Sequence, residues 1–164
     1  MSMTRIVCVL LSAAFVPVLS AQSKPLIPQR ACDLANNADV EKATGRHLKE
    51  PPGHLNTTRN VESACDFWDA AIQLALFPRI LPQEYVNHAM AANGFGQTKH
   101  AVAGVGDSAS IYFTASGKTP EGWLVVFARG STILVRVKAD TGKTAESVQR
   151  PAVELAKVAV SRLQ

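Results

Sequence analysis

The sequence predicts an α+β domain with one antiparallel sheet of about five strands and three helices packed mainly on one face. Three observations support this class. Short runs alternate apolar and polar residues between tight turns, other segments repeat apolar residues at helical spacing, and 164 residues suit a single compact domain after a leader. Strands joined by short turns must be antiparallel. The order helix, hairpin, helix, three strands, helix therefore gives a hairpin plus a three-stranded meander.

The first 21 residues have the features of a secretory signal peptide. Arg5 precedes an apolar run, Ile6 to Val18, and the small residues Ser20 and Ala21 close it. The run is shorter than the roughly 20 apolar residues that span a bilayer, and no later segment offers such a stretch. We therefore expect a periplasmic or secreted protein without an integral membrane segment.

The leader also sets the domain boundaries and the charge. Residues 22–30 contain two prolines and form an extended lead-in, and residues 31–164 form a single α+β domain. The formal net charge of the whole chain is +4, of which Arg5 contributes one, and the basic residues form no run. This modest excess is typical of a solvated surface, and no nucleic-acid partner is expected.

Two cysteines remain after removal of the leader. Cys8 lies inside the apolar run, and the residues before it lack the small-residue pattern of a lipoprotein signal, so no lipid anchor is expected. An oxidising compartment favours a disulfide between Cys32 and Cys65, with two buried free thiols as the alternative. Closing this loop of 33 residues stabilises a fold by about 3.5 kcal/mol in the chain-entropy model.

The first helix is predicted from its caps. Asn36 can begin a helix over 37–44 with Asp39 three residues on, and Gly45 suits the left-handed position after the last turn. A Pro-Pro-Gly stretch then marks the chain up to residue 60 as a loop.

Alternating residues predict a first hairpin around a tight connection at 69–71. We expect Phe67 to pair with Leu74 and Cys65 with Leu76, because this pairing keeps the two apolar faces together. Cys65 then points toward the core, where a disulfide would tie the first helix to the sheet.

A second helix and a third strand follow. Pro82 suits the first turn of the helix, and Asn93-Gly94 ends it. Its apolar stripe consists of Tyr85, Val86, Ala89 and Met90. Residues 109–114 alternate as a strand, and the glycines and proline of 116–122 predict an exposed loop.

The clearest hairpin signal joins 123–129 to 132–138, with Gly130-Ser131 as a type II′ turn. The pairing predicts a wholly apolar face, formed by Leu124, Val126 and Ala128 beside Val137, Val135 and Ile133. Apolar residues then recur at helical spacing up to Leu163, and Pro151 should kink this terminal helix or mark its beginning.

The opposite face of this second hairpin is the candidate binding surface. Aromatic and aliphatic side chains rimmed by basic ones are a composition favoured where proteins bind partners. The candidate residues are Trp123, Phe127, Leu134, Arg129 and Arg136, with Lys138 also at the rim. The alternative is that the terminal helix covers this face and the charges only emerge at its edge.

No motif predicts a catalytic, cofactor-binding or metal-ligating residue. Both Gly-Lys-Thr triplets lack the earlier glycine of a phosphate loop, since Tyr112 and Val137 occupy that position. Gly104-Val105-Gly106-Asp107 leads into a strand, not the helix that a dinucleotide fingerprint needs, and Asp107 is expected to cap its turn. The four histidines lack the spacing of zinc ligands. We expect no cofactor.

Several short motifs resemble those of small exported bacterial domains of unknown function. They are Ala31-Cys32-Asp33-Leu34, Ser63-Ala64-Cys65 in a strand, Val105-Gly106-Asp107-Ser108-Ala109 before another strand, and an Ala-rich final helix ending at Arg162-Leu163. Such domains often carry a lipoprotein cysteine that this chain lacks. The resemblance implies an envelope or secreted domain with one disulfide and supplies no active site.

These observations favour a non-enzymatic binding module in the periplasm or outside the cell. Its partner is expected to be an envelope protein or a small apolar ligand. The alternatives are an inhibitor or immunity-type protein that inserts the 116–122 loop into an envelope enzyme and, third, a cell-wall hydrolase. A binder of apolar molecules should enclose an apolar cavity, whereas a hydrolase needs polar groups converging in a cleft.

Overall fold

The computed structural model describes residues 30–55, 63–96, 99–114, 119–140 and 142–164. Within these ranges, seven strands form one antiparallel sheet and four α-helices pack on it. The α+β class and the single antiparallel sheet confirm the prediction. The predicted leader and nearly all of the lead-in lie outside the described residues.

The helices are α1 (Ala31–Leu34), α2 (Asn37–Thr44), α3 (Gln83–Ala92) and α4 (Glu146–Arg162). The strands are β1 (Gly53–Leu55), β2 (Ser63–Phe67), β3 (Ile72–Phe77), β4 (His100–Val102), β5 (Ser108–Phe113), β6 (Glu121–Ala128) and β7 (Ser131–Lys138). A 3₁₀ turn at Trp68–Ala70 joins β2 to β3. The order across the sheet is β1-β2-β3-β7-β6-β5-β4, so two meanders meet where β3 pairs with β7.

Capping residues set the ends of α2, as the sequence predicts. The side chain of Asn36 accepts a hydrogen bond from the Asp39 N–H at 3.1 Å, and the Asp39 carboxylate accepts one from the Asn36 N–H at 2.8 Å. Gly45 follows the last turn with a left-handed φ of 72° and donates its N–H to the Glu41 carbonyl. The predicted helix over 37–44 is confirmed at both ends.

The first hairpin is two residues tighter than the sequence predicts. Phe67 lies opposite Ile72, and Cys65 lies opposite Leu74. The predicted pairs of Phe67 with Leu74 and of Cys65 with Leu76 are therefore wrong. The 3₁₀ turn ends at a residue with a left-handed φ of 52°, which reverses the chain sooner than a longer loop would. A shift of two residues leaves every side chain on its predicted face, so Cys65 still points inward.

The β6–β7 hairpin differs from the prediction in the same way. Ala128 lies opposite Ser131, so the central turn residues are Arg129 and Gly130, with φ of 48° and 76°. Two positive φ angles define a type I′ turn, whereas the sequence predicts a type II′ turn on Gly130-Ser131. The apolar face is unchanged, because each β6 residue meets a β7 partner two positions earlier than expected.

Tertiary contacts hold Arg129 in this left-handed conformation, which costs a residue with a Cβ about 1–2 kcal/mol. Its N–H donates to the Asp107 carboxylate at 3.1 Å, and its guanidinium donates to the carbonyl of Leu163 after α4. Asp107, which the sequence assigns to its own turn, thus caps the neighbouring hairpin. Arg129 holds the β6–β7 turn against the end of α4.

The sheet is covered on both faces, by different helices. The larger core lies between the sheet and α1, α2 and α4, and it includes the predicted apolar hairpin face. A smaller core lies on the other face, where Val86 and Met90 of α3 pack on Tyr112, Val125 and Leu134. Three of the four helices therefore share one face, in agreement with the expectation that the helices lie mainly on one side.

The sequence predicts that Pro151 either kinks the terminal helix or begins it; the second alternative is wrong, because Pro151 lies inside α4, five residues after its start. Three further details depart from the sequence prediction. Tyr85, predicted within the apolar stripe of α3, is 43% exposed. Residues 121–122, predicted in a loop, are buried in β6. The edge strands β1 and β4 are absent from the prediction because each has only three residues.

A disulfide and an ion pair attach the amino-terminal helices to the rest of the domain. The Sγ atoms of Cys32 in α1 and Cys65 in β2 are 2.07 Å apart, so the predicted disulfide is present. Arg162 of α4 donates to both carboxylate oxygens of Asp39, at 2.6 and 3.0 Å. Burial opposes ionisation of Asp39, but the hydrogen bonds and charge of Arg162 and the Asn36 N–H outweigh it and lower its pKa.

Gly106 and Gly104 test how tightly the turn before β5 packs on β6. Both have positive φ, but a Cβ on Gly106 would lie 2.6 Å from the Phe127 carbonyl oxygen, whereas one on Gly104 would meet nothing within 4 Å. We predict that Gly106→Ala lowers the free energy of unfolding by about 3 kcal/mol and Gly104→Ala by about 1 kcal/mol. Urea denaturation followed by circular dichroism measures both. Equal losses would contradict this packing.

Candidate functional site

Strand register brings five positions into one row across the sheet. The successive cross-strand pairs join Gly53 to Asp66, Asp66 to Gln73, Gln73 to Arg136, and Arg136 to Trp123. Opposed residues of antiparallel strands share a face. Each of the last four lies two positions from a residue of the core under α3, namely Ala64, Ala75, Leu134 and Val125. The row therefore faces the same side of the sheet as α3.

Part of this row opens into a depression of about 430 Å³ beside the area that α3 covers. We call it the polar groove. It is lined by Asp66, Phe67, Trp68, Ala71, Ile72, Gln73, Arg136 and Lys138. It lies at the end of the sheet where the β2–β3 turn meets the last residue of β7.

Trp68 forms one wall of the groove and touches the backbone of β1. A Cβ on Gly53 would lie 2.8 Å from the Trp68 Nε1 and 3.7 and 3.8 Å from the ring carbons on either side of it, so the Nε1 edge of the indole lies against this glycine. The residue is 62% exposed. An indole that abuts the backbone along one edge and is largely exposed offers a surface on which a ligand can stack.

The turn that carries Trp68 is itself anchored. The Asp69 carboxylate accepts hydrogen bonds from the N–H groups of Lys49 and Glu50, at 2.8 and 3.2 Å. These two bonds lower the pKa of Asp69. Asp69 is therefore a structural residue of the turn, because it ties the β2–β3 turn to the chain before β1.

Asp66 lies buried at the floor of the groove, with only 6% of the residue exposed. The Gln73 Nε2 donates to its Oδ1 at 2.9 Å. In the described ranges, no Lys, Arg or His nitrogen lies within 4.0 Å of its carboxylate. A carboxylate with one neutral hydrogen-bond donor among the described residues can accept further hydrogen bonds, which favours a ligand that donates them.

Arg136, Glu121 and Trp123 form a polar cluster at the other end of the groove. The Arg136 Nε donates to the Glu121 Oε1, which also accepts from the Trp123 Nε1 at 3.3 Å. The guanidinium carbon lies 5.6 Å from the Trp123 ring centroid, a cation–π arrangement. The ring in turn packs edge-to-face on Phe95, with centroids 5.5 Å apart. Trp123 and the buried Glu121 thus orient Arg136.

Donors at this end of the groove remain available. Arg136 uses only its Nε, and its terminal guanidinium nitrogens have no hydrogen-bond partner among the residues that the structure describes. Lys138 lies opposite Glu121 on the neighbouring strand, is exposed, and forms no ion pair within those residues. Two cationic side chains therefore face the groove with donors to spare.

The predicted binding residues fall into different environments. Leu134 is buried under α3, and Trp123 and Phe127 are half-buried beside it. Arg129 supports the hairpin turn, so only Arg136 and the rim residue Lys138 line the groove, with Trp123 next to Arg136. The alternative that the terminal helix covers this face is wrong, because α4 packs on the opposite face and α3 covers this one.

Trp68, Asp66 and Gln73 are groove residues that the sequence analysis misses. Polar residues at alternate positions within otherwise apolar strands were the available signal for Asp66 and Gln73. The site that Asp66 and Gln73 help to form depends on the strand order, because β3 and β7 are neighbours in the sheet but far apart in sequence. The sequence does not indicate a binding role for Trp68, because Gly53, which it contacts, lies in a segment predicted to be a loop.

A second open depression, of about 490 Å³, lies between the end of α2 and the start of α4. Its charged lining residues are Arg46, Lys138, Asp140, Lys143, Glu146 and Arg150. Arg46 is already paired with Asp140 at 2.6 Å and donates to the Ala70 carbonyl. The lining of this second depression includes no exposed aromatic side chain and no buried carboxylate. The polar groove therefore has the greater capacity for specific recognition.

The described ranges contain neither a cluster of metal-ligating residues nor a helix that could span a membrane. No three His, Cys, Asp or Glu residues are grouped there as a metal site requires. No helix there has the length and apolar character needed to cross a bilayer.

The chain matches no known family model and no curated protein at a significant level. The similarity to exported bacterial domains therefore stays a prediction. The candidate site rests on the geometry of the groove itself.

Arg136 and Lys138 provide a matched test of the cluster. Arg136→Ala removes the charged partner of Glu121, whose side chain is only 11% exposed. We predict a loss of about 1–2 kcal/mol in the free energy of unfolding, because Glu121 loses its guanidinium partner while partly open to water. Lys138→Ala should change this free energy by less than about 0.5 kcal/mol. Urea denaturation at pH 7 compares the two, and equal effects would contradict the assigned pairing.

Proposed function

We propose that this chain is an exported, non-enzymatic binding module whose polar groove recognises an extracytoplasmic partner. One observation carries the proposal: Trp68 is exposed and abuts Gly53 along its Nε1 edge, beside Asp66 and Arg136, whose side chains each have one hydrogen-bond partner among the described residues. Exposed aromatic and arginine side chains next to unused hydrogen-bonding groups are typical of recognition surfaces.

The disulfide supports the exported location. Cys32 and Cys65 are paired, and disulfides persist in oxidising compartments such as the periplasm or the extracellular space. The leader features of residues 1–21 point the same way. Both features favour function outside the reducing interior of the cell.

The character of the groove favours an extended, polar partner over a small apolar molecule. An apolar ligand is best held in an enclosed cavity, whereas the polar groove is open and lined by charged and amide side chains. The inhibitor alternative depends on the 116–122 loop, of which residues 116–118 lie outside the described residues. The hydrolase alternative gains no support from the described side chains.

Trp68 and Tyr85 give a test with a matched control, because both are exposed aromatic residues and only Trp68 lines the groove. Oxidised protein lacking the leader is immobilised and incubated with bacterial envelope extract. We predict that Trp68→Ala reduces recovery of the bound partner at least tenfold, while Tyr85→Ala retains it.

Both variants should unfold within about 0.5–1 kcal/mol of the parent, since Trp68 is 62% and Tyr85 43% exposed. A folded Trp68→Ala variant that recovers every partner as well as the parent would overturn the assignment of the groove.

A further inference from the structure

We propose that the polar groove binds an acidic oligosaccharide, with one sugar ring on Trp68 and a sugar carboxylate at Arg136 and Lys138. This inference rests on the proposed function and names the class of its ligand. It follows from three features that occur side by side on one sheet face: a stacking platform, planar hydrogen-bonding groups and spare cationic donors.

The stacking platform is the open side of the Trp68 indole. A pyranose ring presents a face of C–H groups, which packs favourably on the electron-rich face of an indole. Gly53 abuts the Nε1 edge of the indole, which restricts the side chain at that edge and leaves 62% of the residue exposed.

The planar groups are the carboxylate of Asp66 and the amide of Gln73, which lie next to each other on β2 and β3. Vicinal sugar hydroxyls donate to a carboxylate and exchange hydrogen bonds with an amide. A sugar bound here would donate to the Asp66 carboxylate, which accepts from Gln73 alone among the described side chains.

The cationic donors select an acidic sugar. The terminal nitrogens of Arg136 suit the fork geometry of a carboxylate, and Lys138 adds a second positive charge two residues further along β7. Glu121 balances the charge of Arg136, and the carboxylate of Asp66 lies two strands away, so the positive groups are concentrated at the β7 end of the groove.

The dimensions suit a chain of sugars better than a single one. From β1 to β7 the row crosses three strand intervals, or about 14 Å at about 4.8 Å each. A ligand that reaches from Trp68 to Arg136 must therefore extend across the strands.

A peptide ligand is less well matched to this surface. Extended peptides are usually recognised through main-chain hydrogen bonds at a sheet edge. The groove lies on a sheet face, where the strands β2, β3 and β7 already use their main-chain groups in the ladder. Side chains alone line it, and they offer groups suited to hydroxyls and a carboxylate.

Isothermal titration calorimetry with three soluble probes tests the inference: tetragalacturonate, neutral maltotetraose and tetraglutamate. We expect tetragalacturonate to bind at least tenfold more tightly than either other probe at low salt. The affinity should weaken as salt increases, because a charged contact contributes. Equal or tighter binding of tetraglutamate, or no detectable binding of tetragalacturonate at millimolar concentration, would overturn the inference.

Three variants locate the binding. Trp68→Ala should weaken tetragalacturonate binding at least tenfold, and Lys138→Ala should weaken it about three- to tenfold without changing the affinity for maltotetraose. Lys143→Ala, an exposed lysine of the other depression, should leave binding unchanged. Loss of binding in Lys143→Ala with retention in Trp68→Ala would place the ligand elsewhere and overturn the inference.

The outcome also separates this inference from the proposed function. If partner recovery from envelope extract requires Trp68 while tetragalacturonate does not bind, the oligosaccharide assignment is wrong and the binding module stands. If neither partner recovery nor tetragalacturonate binding depends on Trp68, both are wrong.

Discussion

The antiparallel register of β2, β3, β7 and β6 is the constraint on which the candidate site depends. It aligns Asp66, Gln73, Arg136 and Trp123 in one row. A slip of one residue would turn these side chains to the opposite face, and a slip of two would keep the face but break the row. Two tight turns set the β2–β3 and β6–β7 registers through the left-handed residues Ala71 and Arg129, and the β3–β7 pairing aligns the two hairpins.

Much of the fold could be predicted because it depends on local chemistry. The caps of α2, the apolar faces of both hairpins and the pairing of two cysteines are encoded in short stretches of sequence. The register could not be predicted, since a slip of two residues satisfies the same apolar pattern. At the second hairpin, the register depends on the contacts of Arg129 with Asp107 and Leu163. Both of these residues are distant from the turn in sequence.

The site was less predictable than the fold for the same reason. Arg136 and Trp123 are visible as polar and aromatic residues on one hairpin face, but their partners in the groove come from the other meander. Trp68 is positioned by the contact of its Nε1 edge with Gly53, a residue that the sequence predicts to lie in a loop. Position along the sheet, not residue type, distinguishes Arg136 in the groove from Arg129 in a structural turn.

The disulfide between α1 and β2 and the packing of α4 make the sheet a rigid support for the groove. Amide chemical-shift mapping by NMR with tetragalacturonate tests most directly whether this face is the binding surface. The account predicts the largest shifts at Asp66, Gln73, Arg136 and the Trp68 indole N–H. Shifts confined to Lys143, Arg150 and the start of α4 would contradict it.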